Sequence, residues 1–485
     1  MVFTTTIFLF LFLPLFLALY YLLPFRYRSA WILTASLLFY GWWRPDFMLL
    51  MVAATLWSHI LCRRIAETRV SDPSAARRAL AFGIFLNIGT LGYFKYFNFG
   101  VESLNALIRG LGGSGLSAWE VILPIGISFY VFQATSYLID VHRGTAAPAR
   151  NYLDVAAYIT LFPQLVAGPI VRYGEIARQL SARSHSFAAF SEGAQRFMIG
   201  FARKVLIADT VARIADAAFA LPEPTAGDAW LGVAAYALQI FYDFSGYSDM
   251  AIGLGRMIGF RFPENFDRPY TSRSITEFWR RWHMSLSRWL RDYLYIPLGG
   301  NRRGLRRTYV NLLTVMIIGG LWHGAAWTFV LWGAWHGLWL VAERLLRDAG
   351  PRRLSGLLRP LGGNLYTLLI VLAGWVLFRA PNLEIAGEMA LAMVGVHGGV
   401  SPGMAWQLSG LALTAFAAGV ILVYAAPALG RLRQPRPSLQ AAPGAGRVGV
   451  VAGRGLLNGA IFTLFLLSIL KLVAESYSPF LYFQF

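Results

Sequence analysis

The chain is predicted to be an all-α polytopic membrane protein, and three observations carry that prediction. Of 485 residues, 57% are hydrophobic and only 14% charged, too few charges to solvate a large soluble surface. Apolar runs of membrane-spanning length recur from one end to the other. The excess charge, +19, is mainly arginine placed between those runs, as expected where positive loops stay cytoplasmic and guanidiniums reach toward anionic headgroups. A soluble chain of this length would divide into two or three domains; here one membrane domain over 1–485 is expected, and the placement of the arginines argues against nucleic acid.

Spans are expected at about 3–25, 29–43, 46–62, 80–100, 119–139, 153–171, 191–215, 228–250, 309–341, 364–380, 405–428 and 455–475. The first, Phe3 to Phe25, has no basic segment before it and no Ala-x-Ala site after it, so it reads as a retained helix rather than a cleaved signal peptide. Pro124, Pro163 and Pro169 interrupt the fifth and sixth, which backbone facing protein or a water-filled cavity tolerates. The expectation is ten to twelve crossings, some of them half-spans. Arg26 and Arg28, then Arg63, Arg64, Arg69, Arg77 and Arg78, mark cytoplasmic loops and put the N-terminus outside. The same rule places 256–308 in the cytoplasm, with twelve arginines against Glu264, Asp267, Glu277 and Asp292. Residues 430–455, rich in Pro, Gly and Arg, read as a cytoplasmic linker. Cys62 is the only cysteine, which excludes disulfides within the chain and a thiolate metal cluster.

The clearest periodicity is in ITEFWRRWHMSLSRWLRDYLYIPLGG, Ile275 to Gly300. Ile275, Phe278, Trp279, Trp282, Leu286, Trp289, Leu290 and Tyr293 fall on one helical stripe, with Arg280, Arg281, Arg288 and Arg291 opposite. This predicts an interfacial helix with tryptophans at headgroup level. Its arginines either bind lipid phosphates or receive an anionic substrate, and the two roles are compatible. His283 falls at the edge of the stripe.

GGLWHGAAWTFVLWGAWHGLWL, Gly319 to Leu340, carries Trp-His-Gly twice. On one continuous helix His323 and His336 would stand about 20 Å and about 140° apart, so they cannot share a metal or a proton. No His-Glu-x-x-His or Cys-x-x-Cys accompanies them, and no metal is expected. Each imidazole either bonds a neighbouring carbonyl or marks a site, as ionisable groups inside a membrane tend to. His323 follows Gly319–Gly320, a weak point in the helix, just after the basic segment; a neutral imidazole there suits a general base toward a hydroxyl. Asp243, Ser245, Ser248 and Asp249, with Ser128, Gln133, Ser136, Asp140, Gln164 and Arg172, add polar groups to apolar runs and favour a solvated tunnel, Asp140 pairing with His142 or Arg143 at a span end.

Through LPIGISFYVFQATSYLIDV, LFPQLVAGPIVRY, FYDFSGYSDMAIGLG, FWRRWHMSLSRWLRDYLYIPLGGNRRG, GGLWHGAAWTFVLWGAWHG and the final SPFLYFQF, the sequence resembles the membrane-bound O-acyltransferase family, in its alginate O-acetylase branch. The resemblance implies a ring of tilted helices around a central funnel, closed on the cytoplasmic side by interfacial helices. It implies His323 as the catalytic histidine and His283 as the second polar position, with His336 a branch feature. It further implies acetyl-CoA as donor, arriving near Arg280, Arg281 and Arg288, and a periplasmic partner that modifies an exopolysaccharide, alginate first, at the bacterial inner membrane. Cellulose or peptidoglycan acetylation and D-alanylation of teichoic acid remain open within the family. A polysaccharide or ion transporter is the alternative of another class, but such proteins carry inverted repeats and none is visible here.

Overall fold

The computed structural model describes residues 1–348, 362–395, 398–433 and 445–475. Within them the chain is helical, joined by turns and by two longer irregular stretches, 111–126 and 258–274, the second holding one 3-10 turn. Polar residues start the helices as capping chemistry requires. Asp72 accepts from the Ser74 and Ala75 amides ahead of Pro73–Gly110, and Ser186 and Asn382 do the same for Phe187–Ala202 and Leu383–Met393. Thr225 and Asp228 form a reciprocal box before Ala226–Met257.

Two hydrophobic cores result. The first gathers the helices up to Leu180 with parts of 197–262 and the 286–293 stretch. The second gathers 207–242 with 270–282 and residues from Phe329 to Val423. The helices Phe187–Ala202 and Ala226–Met257 tie them together through glycine pairs. A Cβ at Gly193 or Gly200 would collide with the Gly253 or Gly246 carbonyl, so only glycine permits that approach. Beside this contact Lys204, fully buried, pairs with Asp209 and, at 3.1 Å, with Asp243.

Several expectations need correction. Of the described helices, Pro45–Thr68 and Gly455–Ala474 combine the length and apolarity to cross a bilayer, while Phe8–Leu22, Gly363–Arg379 and Gly410–Ala425 are apolar but shorter. The expected span at 119–139 is irregular up to Gly126 and helical only from Ile127, and 153–171 holds the short helices Tyr152–Thr160 and Phe162–Leu165. Helices Gly410–Arg433 and Ala445–Ala474 run into both ends of the expected 430–455 linker, whose middle, 434–444, lies outside the described residues, as does SPFLYFQF. Asp140 accepts from the Tyr293 hydroxyl at 2.7 Å, and no ion pair with His142 or Arg143 forms.

The Ile275–Tyr293 stretch is also broken, at Trp282–His283, into helices Ile275–Arg281 and Met284–Leu290 and a π turn at Arg291–Tyr295. Its apolar stripe is buried as expected, but in protein. Trp289 stacks on Phe132 with ring centroids 3.7 Å apart, and Trp282 packs on Phe278 and Trp375. Glu343 secures the start of the stretch, accepting from the Ile275 and Thr276 amides at 2.6 and 2.9 Å and from the Thr276 hydroxyl at 2.6 Å.

Candidate active site

The run expected as one span at 309–341 is a helical hairpin, Leu305–His323 followed by Trp327–Asp348. Gly319–Gly320 is not where it breaks. Gly320 and Gly333 face each other so closely that a Cβ on either would collide with the opposing backbone, so those glycines serve contact between the two arms. The break comes at Gly324, whose backbone is extended (φ −157°, ψ 149°).

A helix end leaves its last carbonyls without partners, and here another helix supplies them. Lys95 Nζ donates to the Trp322 and His323 carbonyls at 2.5 and 3.1 Å, and the Tyr96 hydroxyl to the Leu321 carbonyl at 2.8 Å. A cation at a helix C-terminus is also favoured by the helix dipole. Neither residue stood out in the sequence as part of a site, although Lys95 is one of only three lysines, set in an apolar run.

His323 therefore ends its helix at the seam between the two cores. Its ring lies 5.1 Å from Trp322 on one side, and 5.2 and 5.1 Å from Trp332 and Phe378 on the other. The His283 ring stands 6.4 Å away. His283 is not at the edge of a surface stripe: it is fully buried, and its backbone is left-handed at φ 42°, ψ 55°. That conformation is unusual for a residue with a side chain and points to a functional constraint.

Asn265 holds it there. Asn265 Oδ1 meets His283 Nδ1 at 3.1 Å, the Ser285 amide at 3.2 Å and the Ser285 hydroxyl at 2.9 Å, while the Asn265 carbonyl takes the Met284 amide at 2.9 Å. Ser285 Oγ in turn accepts from the Ile170 amide at 3.0 Å. Asn265 sits in an ordinary polar loop sequence, and nothing local marked it in advance.

Two cavities reach this centre. One, of about 490 Å³, is lined by Trp42, Trp43, Lys95, Ser128, Trp322 and His323, among others. The other, of about 630 Å³, is lined by Arg196, Arg203, Ser245, Asp249, Asn265 and Arg268, among others. They share no lining residue, and the sequence Asn265, His283, His323 runs from the second to the first. Polar groups flagged in the sequence do line them: Ser128 the first, Ser245, Ser248 and Asp249 the second.

The arginines expected to receive the donor line neither cavity, although the Arg281 carbonyl accepts from the amide of Asp267, which lines the second. Arg280 is exposed, Arg281 pairs with Glu277 at 2.6 Å, and Arg288 reaches Glu175 at 3.8 Å. His336 is fully buried between Trp279 and Trp332, at 5.1 Å from each ring. Neither of its nitrogens has a hydrogen-bond partner among the described residues, so the bond to a nearby carbonyl weighed for it is absent. No group of three or more His, Cys, Asp or Glu able to hold a metal occurs among the described residues.

This buried histidine pair lies in an all-helical chain that belongs to the membrane-bound O-acyltransferase family. That family's profile matches residues 145–352, which include His283, His323, His336 and Asn265. Over the whole length of both chains it is 50% identical to the "Probable alginate O-acetylase" of Pseudomonas putida and 49% identical to that of Azotobacter vinelandii. It is 35% identical to the peptidoglycan O-acetyltransferase of Helicobacter pylori, over 82% of this chain and 80% of that one. The protein is a membrane O-acyltransferase, similar along its full length to alginate O-acetylases.

Proposed function

We propose that this chain moves acetyl groups from acetyl-CoA on the cytoplasmic side of the bacterial inner membrane to a hydroxyl acceptor reached from the periplasm. The product is an O-acetylated exopolysaccharide, alginate first, completed by a periplasmic partner protein. The observation that supports it best is the chain of contacts from one cavity to the other: Asn265 lines the second, His283 bonds Asn265, and His323, next to His283, lines the first. By the positive-inside reading, the cavity with Arg196, Arg203 and Arg268 faces the cytoplasm and would admit the donor; the cavity with Trp42 and Trp43 would admit the acceptor.

The centre suits the chemistry. With ring centroids 6.4 Å apart, the two imidazoles are beyond a direct hydrogen bond of about 2.9 Å between their nitrogens even when end-on, and one oxygen fits between them. An acceptor hydroxyl there gives its proton to His323, and its oxygen attacks the acetyl carbonyl. The carbon–sulfur bond then breaks, and the proton passes from His323 to the leaving thiolate. Arg280, Arg281 and Arg288 remain the proposed cations for the donor's phosphates, with Arg203 and Arg268 on the cavity wall as a second set.

Membranes given labelled acetyl-CoA, partner protein and polysaccharide test this. The expected result is labelled polysaccharide from the wild-type chain and none from His323→Ala at equal protein amount; wild-type labelling by that variant would refute the assignment. Peptidoglycan is a second acceptor favoured by the Helicobacter pylori relative, and label appearing there instead of in alginate would select it.

A further inference from the structure

Asn265 belongs to no span or histidine motif and is an uncharged residue of the basic 256–308 segment, yet its side chain meets His283 directly. It is buried to 1% exposure, and its side-chain oxygen gathers three contacts from one short stretch, His283 to Ser285. The identities of the donors follow by elimination. The Ser285 amide can only donate, so the Asn265 atom facing it is the oxygen. The Ile170 amide can only donate to Ser285 Oγ, which leaves that hydroxyl free to give its own proton to the same oxygen. His283 Nδ1, facing that oxygen at 3.1 Å, must therefore carry the ring's proton. Nε2 is then left as a lone pair, buried, and without a partner among the described residues.

We infer that Asn265 is a positioning residue for acyl transfer: it fixes His283 as the neutral Nδ1–H tautomer with Nε2 unprotonated, so that no second positive charge opposes the proton His323 takes from the acceptor hydroxyl. This rests on the reading of that pair as the reaction centre. The asparagine is suited to the task because it accepts without charge. A carboxylate would accept the same three contacts but would also stabilise an imidazolium, placing a proton and a positive charge on the ring beside His323. The left-handed backbone at His283 agrees, since the Met284 amide bond to the Asn265 carbonyl and the Ser285 contacts hold that turn in place. The second amide hydrogen-bonding atom, Nδ2, has no partner among the described residues, and Asn265 lines the donor-side cavity.

The titratable groups around His283 are few. His323 is the nearest titratable ring, Lys95 lies beyond it on the Trp322 and His323 carbonyls, and Glu264 and Asp267 flank Asn265 in the chain. A new ionisation in an Asn265 variant would therefore be assignable.

The test uses the full-length chain in membranes with labelled acetyl-CoA, its polysaccharide and its partner protein, with rates normalised to protein amount. Asn265→Ala is expected to lower the rate by about 10- to 100-fold, as loss of a group that orients a functional histidine does elsewhere. Asn265→Asp is expected to be slow at neutral pH and to recover as pH rises, a limb absent from the wild type and from Asn265→Ala. In a His283→Ala background neither substitution should lower the rate further, because both act through that ring. Equal losses in Asn265→Ala and Asn265→Asp with no new pH limb, or full additivity with His283→Ala, would overturn the inference. An active His323→Ala chain would instead overturn the reading of the reaction centre, so the two failures are distinguishable.

Discussion

Replacing Lys95 by methionine removes the donors that close the His323 helix while keeping a side chain of similar length. Lys95 is only 8% exposed, and its ammonium makes two charge-assisted bonds, to the Trp322 and His323 carbonyls. Such bonds contribute about 1.5–3 kcal/mol each, and the carbonyls left behind border a cavity where water can replace part of that. Taking the lower value for each gives about 3 kcal/mol holding the helix end in its present form. If half of it is recovered by water, the population with His323 correctly placed falls about tenfold, and if none is, about a hundredfold. The expected result is a 10- to 100-fold loss in acetyl transfer per amount of inserted protein. Tyr96→Phe removes one neutral bond, worth about 1 kcal/mol, and should cost severalfold at most. The measurement is labelled acetyl incorporation at equal protein amount. Lys95→Met within twofold of wild type would refute the reasoning.

Glu343→Ala removes three contacts from the start of the stretch that carries His283. Leaving these buried donors unsatisfied is expected to cost about 1–3 kcal/mol each, and to show as reduced protein in the membrane and a lower unfolding temperature rather than as a change in donor affinity. For the donor, Arg280→Ala and Arg288→Ala are expected to raise KM for acetyl-CoA severalfold at unchanged kcat. Arg203→Ala and Arg268→Ala, placed on the cavity wall, provide the comparison, and an effect confined to them would move donor binding from the first set to the second.

Much of this was legible in the sequence because it is local. The stripe from Ile275 to Tyr293 gave the buried face, since periodicity reports which side turns away from water. It could not say what covers that side, and Phe132 and Trp375 do so where headgroups were expected. The Trp-His-Gly repeat separated His323 from His336. The break was displaced by four residues because the glycines at 319 and 320 look alike to a chain reading, whereas Gly324 breaks the helix with Lys95 and Tyr96 in reach. Asn265 was invisible for the same reason: its contact to His283 spans eighteen positions and leaves no periodic trace.

The bond from Lys95 to the Trp322 carbonyl joins positions 227 residues apart, and this sets an order of assembly. Synthesis delivers the Pro73–Gly110 helix first, so the lysine is waiting in the membrane when Leu305–His323 arrives. Until the two meet, the Leu321, Trp322 and His323 carbonyls at the end of the later helix lack the donors that Lys95 and Tyr96 bring. The earlier helix thus acts as a template for the shape of the later one, and a chain divided between Gly144 and Thr308 should regain activity only when both pieces enter the same bilayer.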